Sequence, residues 1–121
     1  MREQKRGGRR HKDLQLCRQV HDALSYALTE FVEPELEKLT LIAVEPAPSA
    51  ARLLVTFTMP SDHHNPTAVI EQRDRALATL RARAADIRDE VTAEITRKRA
   101  PELVFRIVTD EEVRAELTPQ T

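Results

Sequence analysis

The sequence predicts a mixed α+β domain with the element order helix, strand, strand, helix, helix, strand. Apolar residues recur at three- and four-residue steps over residues 13–31 and 66–95, which is the period of amphipathic helices. They alternate with other residues over 52–59 and 102–107, which is the period of strands with one face in a core. Prolines fall between these segments, where they neither break a helix nor remove a ladder hydrogen bond. A small sheet packed on helices satisfies these observations.

The first helix is expected from about Asp13 to Phe31, with Asp13 as its N-cap. Pro34 marks its end, because a proline disfavours helical geometry at the residue before it. Two strands follow, at residues 39–44 and 52–59, and both are rich in strand-forming residues. Since only a short, proline-containing connection separates these strands, we expect them to pair antiparallel.

A second helical region begins at Asn65 and Pro66, because asparagine at the N-cap and proline at the first helical position form a specific start signal. Asp86 precedes further acidic residues, which predicts the N-cap of another helix. We therefore expect a break or kink at residues 84–86, with a helix on each side.

The last strand follows Pro101, which we expect to end the preceding helix near Arg99 or Ala100. Between the second and third strands the chain crosses over through the helix pair. The third strand therefore need not be antiparallel to its neighbour.

At 121 residues the chain has room for one domain, which we place at residues 13–109. A flexible basic arm, residues 1–12, is expected before it, and an acidic tail, residues 110–121, after it. The lone Cys17 excludes an internal disulfide, and no segment reaches the ~20 apolar residues of a membrane span. These features predict a cytoplasmic protein with no membrane partner, and we expect a monomer.

The net charge of −1 conceals a strong segregation of charge along the chain. Residues 1–12 carry six Lys or Arg against one Glu, whereas residues 110–121 carry four acids against one Arg. Residues 73–99 carry eight cations against five acids, and they include a run of three that we call the basic segment: Arg97, Lys98 and Arg99. Cations at a helix end interact favourably with its dipole. Three consecutive cations are more than the interaction with a helix dipole requires. The basic segment therefore favours contact with a nucleic-acid backbone.

Catalytic and metal-binding patterns are weak. His21 and Ser25 lie one helical turn apart beside Asp22, but no glycine-rich turn is present to build an oxyanion hole. His63 and His64 lack further ligands at metal-binding spacing. Both glycines lie in the basic arm, which excludes a phosphate-binding loop in the body of the chain. We therefore expect no catalytic residue, no metal and no cofactor, with a hydrolase or metalloenzyme as the disfavoured alternative.

The segment from Lys98 to Phe105, with the sequence Lys-Arg-Ala-Pro-Glu-Leu-Val-Phe, resembles the ribosome-binding factor A family. In that family a Pro-Glu-Leu-x-Phe strand follows a basic helix end. The order and spacing of the predicted elements agree with the family from about Leu14 to Ile107. Softer matches include Leu24, Ser25 and Leu28 in the first helix and the run Val-Thr-Phe-Thr at residues 55–58.

The resemblance implies a type II KH-like domain and a non-enzymatic maturation factor. Such a factor would bind the free small ribosomal subunit and its rRNA and assist late rRNA processing, without a small-molecule substrate. The family's glycine at the kink of the helix pair corresponds to Ala85, and the acids that follow oppose phosphate binding there. We therefore assign RNA binding to flanking cations and the basic arm: Arg81, Arg83, Arg88, Arg97, Lys98, Arg99, Arg6, Arg9 and Arg10.

A protein-interaction adaptor with the same fold and no RNA binding is the alternative, in which the acidic tail docks a basic partner. The two hypotheses differ in their expected response to salt. Each phosphate contact adds to a steep fall of affinity with salt concentration, whereas an adaptor has no such requirement.

Overall fold

The computed structural model describes the backbone of residues 2–47, 49, 51–95 and 101–117, and the side chains of residues 13–116 within these ranges. The predicted order of elements is confirmed, with two additional short helices, α2 and α5. The elements are α1 (Arg2–Ala27), a 3-10 turn (Leu28–Glu30), α2 (Pro34–Glu37), β1 (Thr40–Pro46), β2 (Arg52–Met59), α3 (Pro66–Ala82), α4 (Ala84–Glu94), β3 (Glu102–Thr109) and α5 (Asp110–Leu117).

The three strands form one mixed sheet in the order β1-β2-β3. β1 and β2 pair antiparallel, as predicted, with a register shift between Leu41 and Ala43. β3 pairs parallel with β2, from Arg52 opposite Glu102 to Met59 opposite Thr109. A parallel neighbour requires a crossover, and the α3–α4 pair supplies it.

The core lies between one face of the sheet and helices α1, α3 and α4. Alternate β2 residues from Leu53 to Met59 point into it, as the alternating pattern predicts. Leu24, Leu80 and Val91 contribute from the three helices, and each is fully buried. The core therefore fixes the α3–α4 pair against the sheet.

α1 begins at Arg2, so the predicted start near Asp13 is wrong, and Asp13 lies inside the helix rather than at its N-cap. Arg, Lys, Gln and Glu are good helix formers, and their summed propensity outweighs the cost of Gly7 and Gly8. The helix ends at Ala27, and the 3-10 turn carries the chain towards Pro34. The flexibility of residues 1–12 stays a prediction.

The predicted break between two helices is confirmed, but its cap is not Asp86. The two helices meet at Arg83, which has φ −94° and ψ 4°. Its N–H donates to the carbonyl of Thr79 at 2.9 Å, and its carbonyl accepts from the N–H of Ile87 at 2.9 Å. Arg83 thus closes α3 and opens α4, so the change of direction needs no separate capping residue.

Part of the expected acidic tail forms α5, while residues 118–121 lie outside the described part. Thr109 and Glu112 form a reciprocal capping box at its start. The Thr109 N–H donates to Glu112 Oε1 at 2.9 Å, and the Glu112 N–H donates to Thr109 Oγ1 at 3.2 Å. The Thr58 hydroxyl donates to Asp110 at 2.9 Å, and Arg73 donates to Glu112 at 3.0 Å. These contacts dock α5 against β2 and α3.

Candidate nucleic-acid interface

The α3–α4 junction brings three of the predicted RNA-binding cations into one region. Arg81 is exposed in the last turn of α3, Arg83 lies at the junction, and Arg88 is exposed on α4. Arg81 has no ion-pair partner among the residues whose side chains are described. Its guanidinium is therefore available to a phosphate.

Arg83 is committed to contacts within the protein. Its Nε donates to Glu33 Oε1 at 2.6 Å, a second guanidinium nitrogen pairs with the same oxygen, and a third lies 3.3 Å from Asp86. The guanidinium also lies over the ring of Phe31, 5.6 Å from its centroid. Arg83 thereby ties the segment before α2 to the helix junction.

The pKa values of the pair follow this geometry. The hydrogen bond from Arg83 lowers the pKa of Glu33, helped by a backbone hydrogen bond and by the charge of the guanidinium. The hydrogen bond to Glu33 raises the pKa of Arg83 in turn. The Glu33 side chain is 20% exposed, so the pair lies partly out of solvent.

The start of α4 is acidic on its exposed side. Asp86 is 60% exposed, and Asp89 and Glu90 are exposed in the next turn. Although a helix N-terminus normally attracts anions, three carboxylates there repel a phosphate. A phosphate would therefore meet less repulsion at the cations beside the junction than at the start of α4, and binding by those cations stays a prediction.

Six predicted binding residues cannot be placed at side-chain level. Arg97, Lys98 and Arg99 lie outside the described residues, and the prediction that the helix before them continues to Arg99 is wrong, because α4 ends at Glu94 and Ile95 is extended. Arg6, Arg9 and Arg10 lie on α1, where the backbone is described and the side chains are not. The nine-residue assignment as a whole stays a prediction.

Sequence reasoning missed a pocket of about 250 Å³ between α2 and α3, which we call the α2–α3 pocket. The two cations in its lining, Lys38 and Arg75, are exposed and have no ion-pair partner among the described side chains. Detecting it required α2, whose single turn is too short to leave a periodic signal. The lining is formed by Pro34, Glu35, Lys38, Leu39, Met59, Gln72, Arg75 and Ala76.

Two of the side chains weighed for catalysis, those of Ser25 and His63, make other contacts. The Ser25 hydroxyl donates to the backbone carbonyl of His21 at 2.9 Å, not to its imidazole. His63 Nδ1 lies 3.6 Å from a carboxylate oxygen of Glu111. In the described part of the chain, no three His, Cys, Asp or Glu side chains cluster as a metal site would require.

Cys17 is buried in the core, and burial raises the pKa of its thiol, with Asp13 and Glu45 adding to the effect. A thiol in this environment behaves as a small apolar side chain. Within the described ranges, no helix has both the length and the apolar character needed to cross a bilayer.

Comparison with known proteins supports the fold. No family model and no curated protein matches the chain. Among solved structures, it is similar to the crystal structure of ribosome-binding factor A from Thermus thermophilus, with a TM-score of 0.58 and 21% sequence identity. The match covers 82% of this chain and 93% of that one. The mixed three-stranded sheet, the α3–α4 pair and this match together show that the chain has the KH-like fold of ribosome-binding factor A.

Proposed function

We propose that this chain is a non-catalytic assembly factor that binds the free small ribosomal subunit in the cytoplasm. The observation that carries the proposal is the likeness in fold to ribosome-binding factor A, which extends over most of both chains. The protein contacts rRNA and assists its late processing. It does so as a monomer and without a cofactor.

Binding is directed mainly at the RNA backbone. Arg81 and Arg88 are exposed on either side of the α3–α4 junction, and the basic segment follows α4 in the chain. Cations arranged in this way recognise phosphates by charge and position rather than by base sequence. Arg83 supports the surface by holding the junction in place through Glu33.

Sedimentation of a cell lysate through a density gradient tests the proposal. The wild-type protein should travel with free small subunits at low salt. A variant with Arg81, Arg97, Lys98 and Arg99 changed to alanine should stay near the top of the gradient. Arg114→Ala is the control, because Arg114 is an exposed arginine on α5, which follows the opposite end of β3 from the basic segment in the chain.

Wild-type protein found only at the top of the gradient at low salt would contradict the proposal. The adaptor alternative would gain support from binding that is insensitive to salt and to loss of the basic segment. That alternative assigns the acidic tail to a basic partner. Yet Asp110 and Glu112 already bond to Thr58 and Arg73, so they are not free to serve such a partner.

A further inference from the structure

The α2–α3 pocket has a buried apolar lining and an exposed charged rim. Met59 and Ala76 are 3% and 2% exposed, and Leu39 is half-buried beside them. Its volume of about 250 Å³ lies below the roughly 300–1,000 Å³ of pockets that hold drug-sized ligands. One planar ring system with a small substituent suits a site of this size.

The polar groups of the pocket include both acceptors and donors. One oxygen of Glu35 accepts a hydrogen bond from the Thr79 hydroxyl at 3.2 Å, and the other makes no hydrogen bond to a described residue. The Gln72 amide is half-buried and also has no described hydrogen-bond partner. Lys38 and Arg75 add two exposed cations that have no ion-pair partner among the described side chains. The site therefore combines one carboxylate, one amide and two positive charges around an apolar base.

We propose that the α2–α3 pocket holds one unstacked nucleotide of the bound RNA. The ring packs on Leu39, Met59 and Ala76, while Lys38 and Arg75 bind the adjoining phosphates. This inference rests on the proposed RNA-binding function and adds a single base contact to it. Proteins that recognise RNA sequence act mainly on unstacked bases of this kind.

Glu35 decides between a nucleotide and an acidic peptide as the occupant. A carboxylate in the lining repels any anionic group inside the pocket, which excludes a peptide carboxylate there but admits an uncharged base whose phosphates stay at the cationic rim. The same carboxylate accepts a hydrogen bond from an amino group on a base edge, as acidic residues do with cytosine. The pocket should therefore prefer adenine, cytosine or guanine, which carry amino groups, over uracil.

Methionine methyl resonances give a direct test on the full chain, because Met1 and Met59 are its only methionines. The protein is labelled with ¹³C at the methionine methyl groups and titrated with AMP, CMP, GMP or UMP. Amino-bearing nucleotides should shift the Met59 signal saturably. UMP should bind about tenfold more weakly, since it lacks one hydrogen bond to a charged group.

Variants separate the contributions of charge and base. Changing Lys38 and Arg75 to alanine should weaken binding of the preferred nucleotide by about tenfold or more. Glu35→Gln should reduce the discrimination against UMP while saturable binding persists. Arg52→Ala should change neither, since Arg52 does not line the pocket.

Three results would overturn the inference. These are an unmoved Met59 signal with every nucleotide, an equal response to ribose 5-phosphate, which has no base, or a stronger response to the peptide N-acetyl-Leu-Asp-Asp-amide. If any of these occurred while the protein still sedimented with small subunits, the pocket assignment alone would fall. If the protein also failed to sediment with small subunits, the proposed function itself would be contradicted.

Discussion

At the residue scale, Arg83 illustrates how a surface cation can serve the fold. Its guanidinium reaches Glu33, which is 50 residues earlier in the chain, and it also covers the ring of Phe31. Without Arg83, the half-buried Glu33 carboxylate would lack its main partner. We therefore expect Arg83 to support the proposed interface, and its direct contact with phosphate stays a prediction.

We predict that Arg83→Ala lowers the thermal unfolding midpoint, and that the double variant with Glu33→Gln unfolds no earlier than Arg83→Ala alone. The reason is that the second change removes the carboxylate left without a partner. Differential scanning calorimetry measures both midpoints. Arg81→Ala is the control and should leave the midpoint in place. Simple addition of the two single effects would argue against a coupled pair.

A second prediction at this scale concerns the core. Leu80→Ala should reduce the free energy of unfolding by about 2–5 kcal/mol, since it opens a cavity at a fully buried position. Leu14→Ala makes the same chemical change at a side chain that is 60% exposed, so it should alter stability by less than about 0.5 kcal/mol. Urea unfolding of the two variants measures the contrast. Equal losses would contradict the placement of α3 in the core.

Arg83 was predicted to bind RNA because the sequence gives the charge of each residue and its position along the chain. It does not show that Glu33 would be its partner, since the two are brought together only when α2 packs beside α3. Arg81 is different. Its exposure follows from its place beside the apolar face of α3, one residue after buried Leu80, so the helical period suffices to predict it.

At the scale of elements, α5 shows how a short helix gains stability from its first residues. The capping box of Thr109 and Glu112 satisfies two backbone donors, and Arg73 binds the same carboxylate. Eight residues are too few for a stable isolated helix in water. α5 therefore depends on its cap and on its docking.

We predict that Thr109→Ala destabilises α5 by about 1 kcal/mol, the usual cost of losing an N-cap hydroxyl. Hydrogen exchange should quicken for the amides of α5 before those of β2. Thr109→Ser keeps the hydroxyl and is the matched control, expected to protect α5 nearly as well as threonine. Unchanged exchange in Thr109→Ala would show that docking alone maintains the helix.

The Glu112 carboxylate also predicts a dependence on pH. The hydrogen bond from the Thr109 backbone lowers the pKa of Glu112, with Arg73 adding to the effect against the opposing cost of burial. A pKa below that of the unfolded chain means that this carboxylate stabilises the fold at pH above the unfolded value. That stabilisation is lost as the pH falls through the folded pKa.

Chemical unfolding of wild type and Glu112→Gln over about pH 5 to 3 should therefore show a steeper loss of stability in the wild type. Glu116→Gln, an exposed acid on the same helix, should follow the wild-type curve. Parallel curves for wild type and Glu112→Gln would contradict the role given to this carboxylate.

The elements that periodicity predicted are those long enough to repeat an apolar pattern, such as α3 and β2. α2 and α5 were missed, since helices of four and eight residues offer little periodicity. For α5 another signal was present, because Thr109 and Glu112 have the spacing of a capping box. The start of α1 was misplaced because Asp13 has the chemistry of a cap but lies within a run of good helix formers.

At the scale of the whole molecule, a net charge of −1 conceals distinct charged regions. The α3–α4 junction presents cations beside an acidic helix start, and α5 concentrates acids at the end of β3. Local fields of this kind, rather than net charge, govern association with a polyanion. The fold could be predicted from order and pattern. The α2–α3 pocket could not, since three separate elements meet to form it.

We predict that the affinity for small subunits falls steeply with salt. The logarithm of the association constant should decline against the logarithm of salt concentration by about 0.7–0.9 per phosphate contacted. Changing Arg97, Lys98 and Arg99 to alanine should reduce that slope by about one for each cation that touches phosphate. Filter binding over a range of salt concentrations measures it. An unchanged slope would show that the basic segment does not contact phosphate.

β3 has a consequence for how the protein approaches its partner. The strand begins at Glu102, shortly after the basic segment in the chain, and the three acids that open α5 follow its last residue. Its eight residues span on the order of 25 Å, well beyond the screening length of about 8 Å at physiological salt. The acids at the end of β3 would thus repel a polyanion independently of any contact that the polyanion makes near the start of the strand. Under the proposed function, we therefore expect β3 to influence the direction from which the protein approaches its partner.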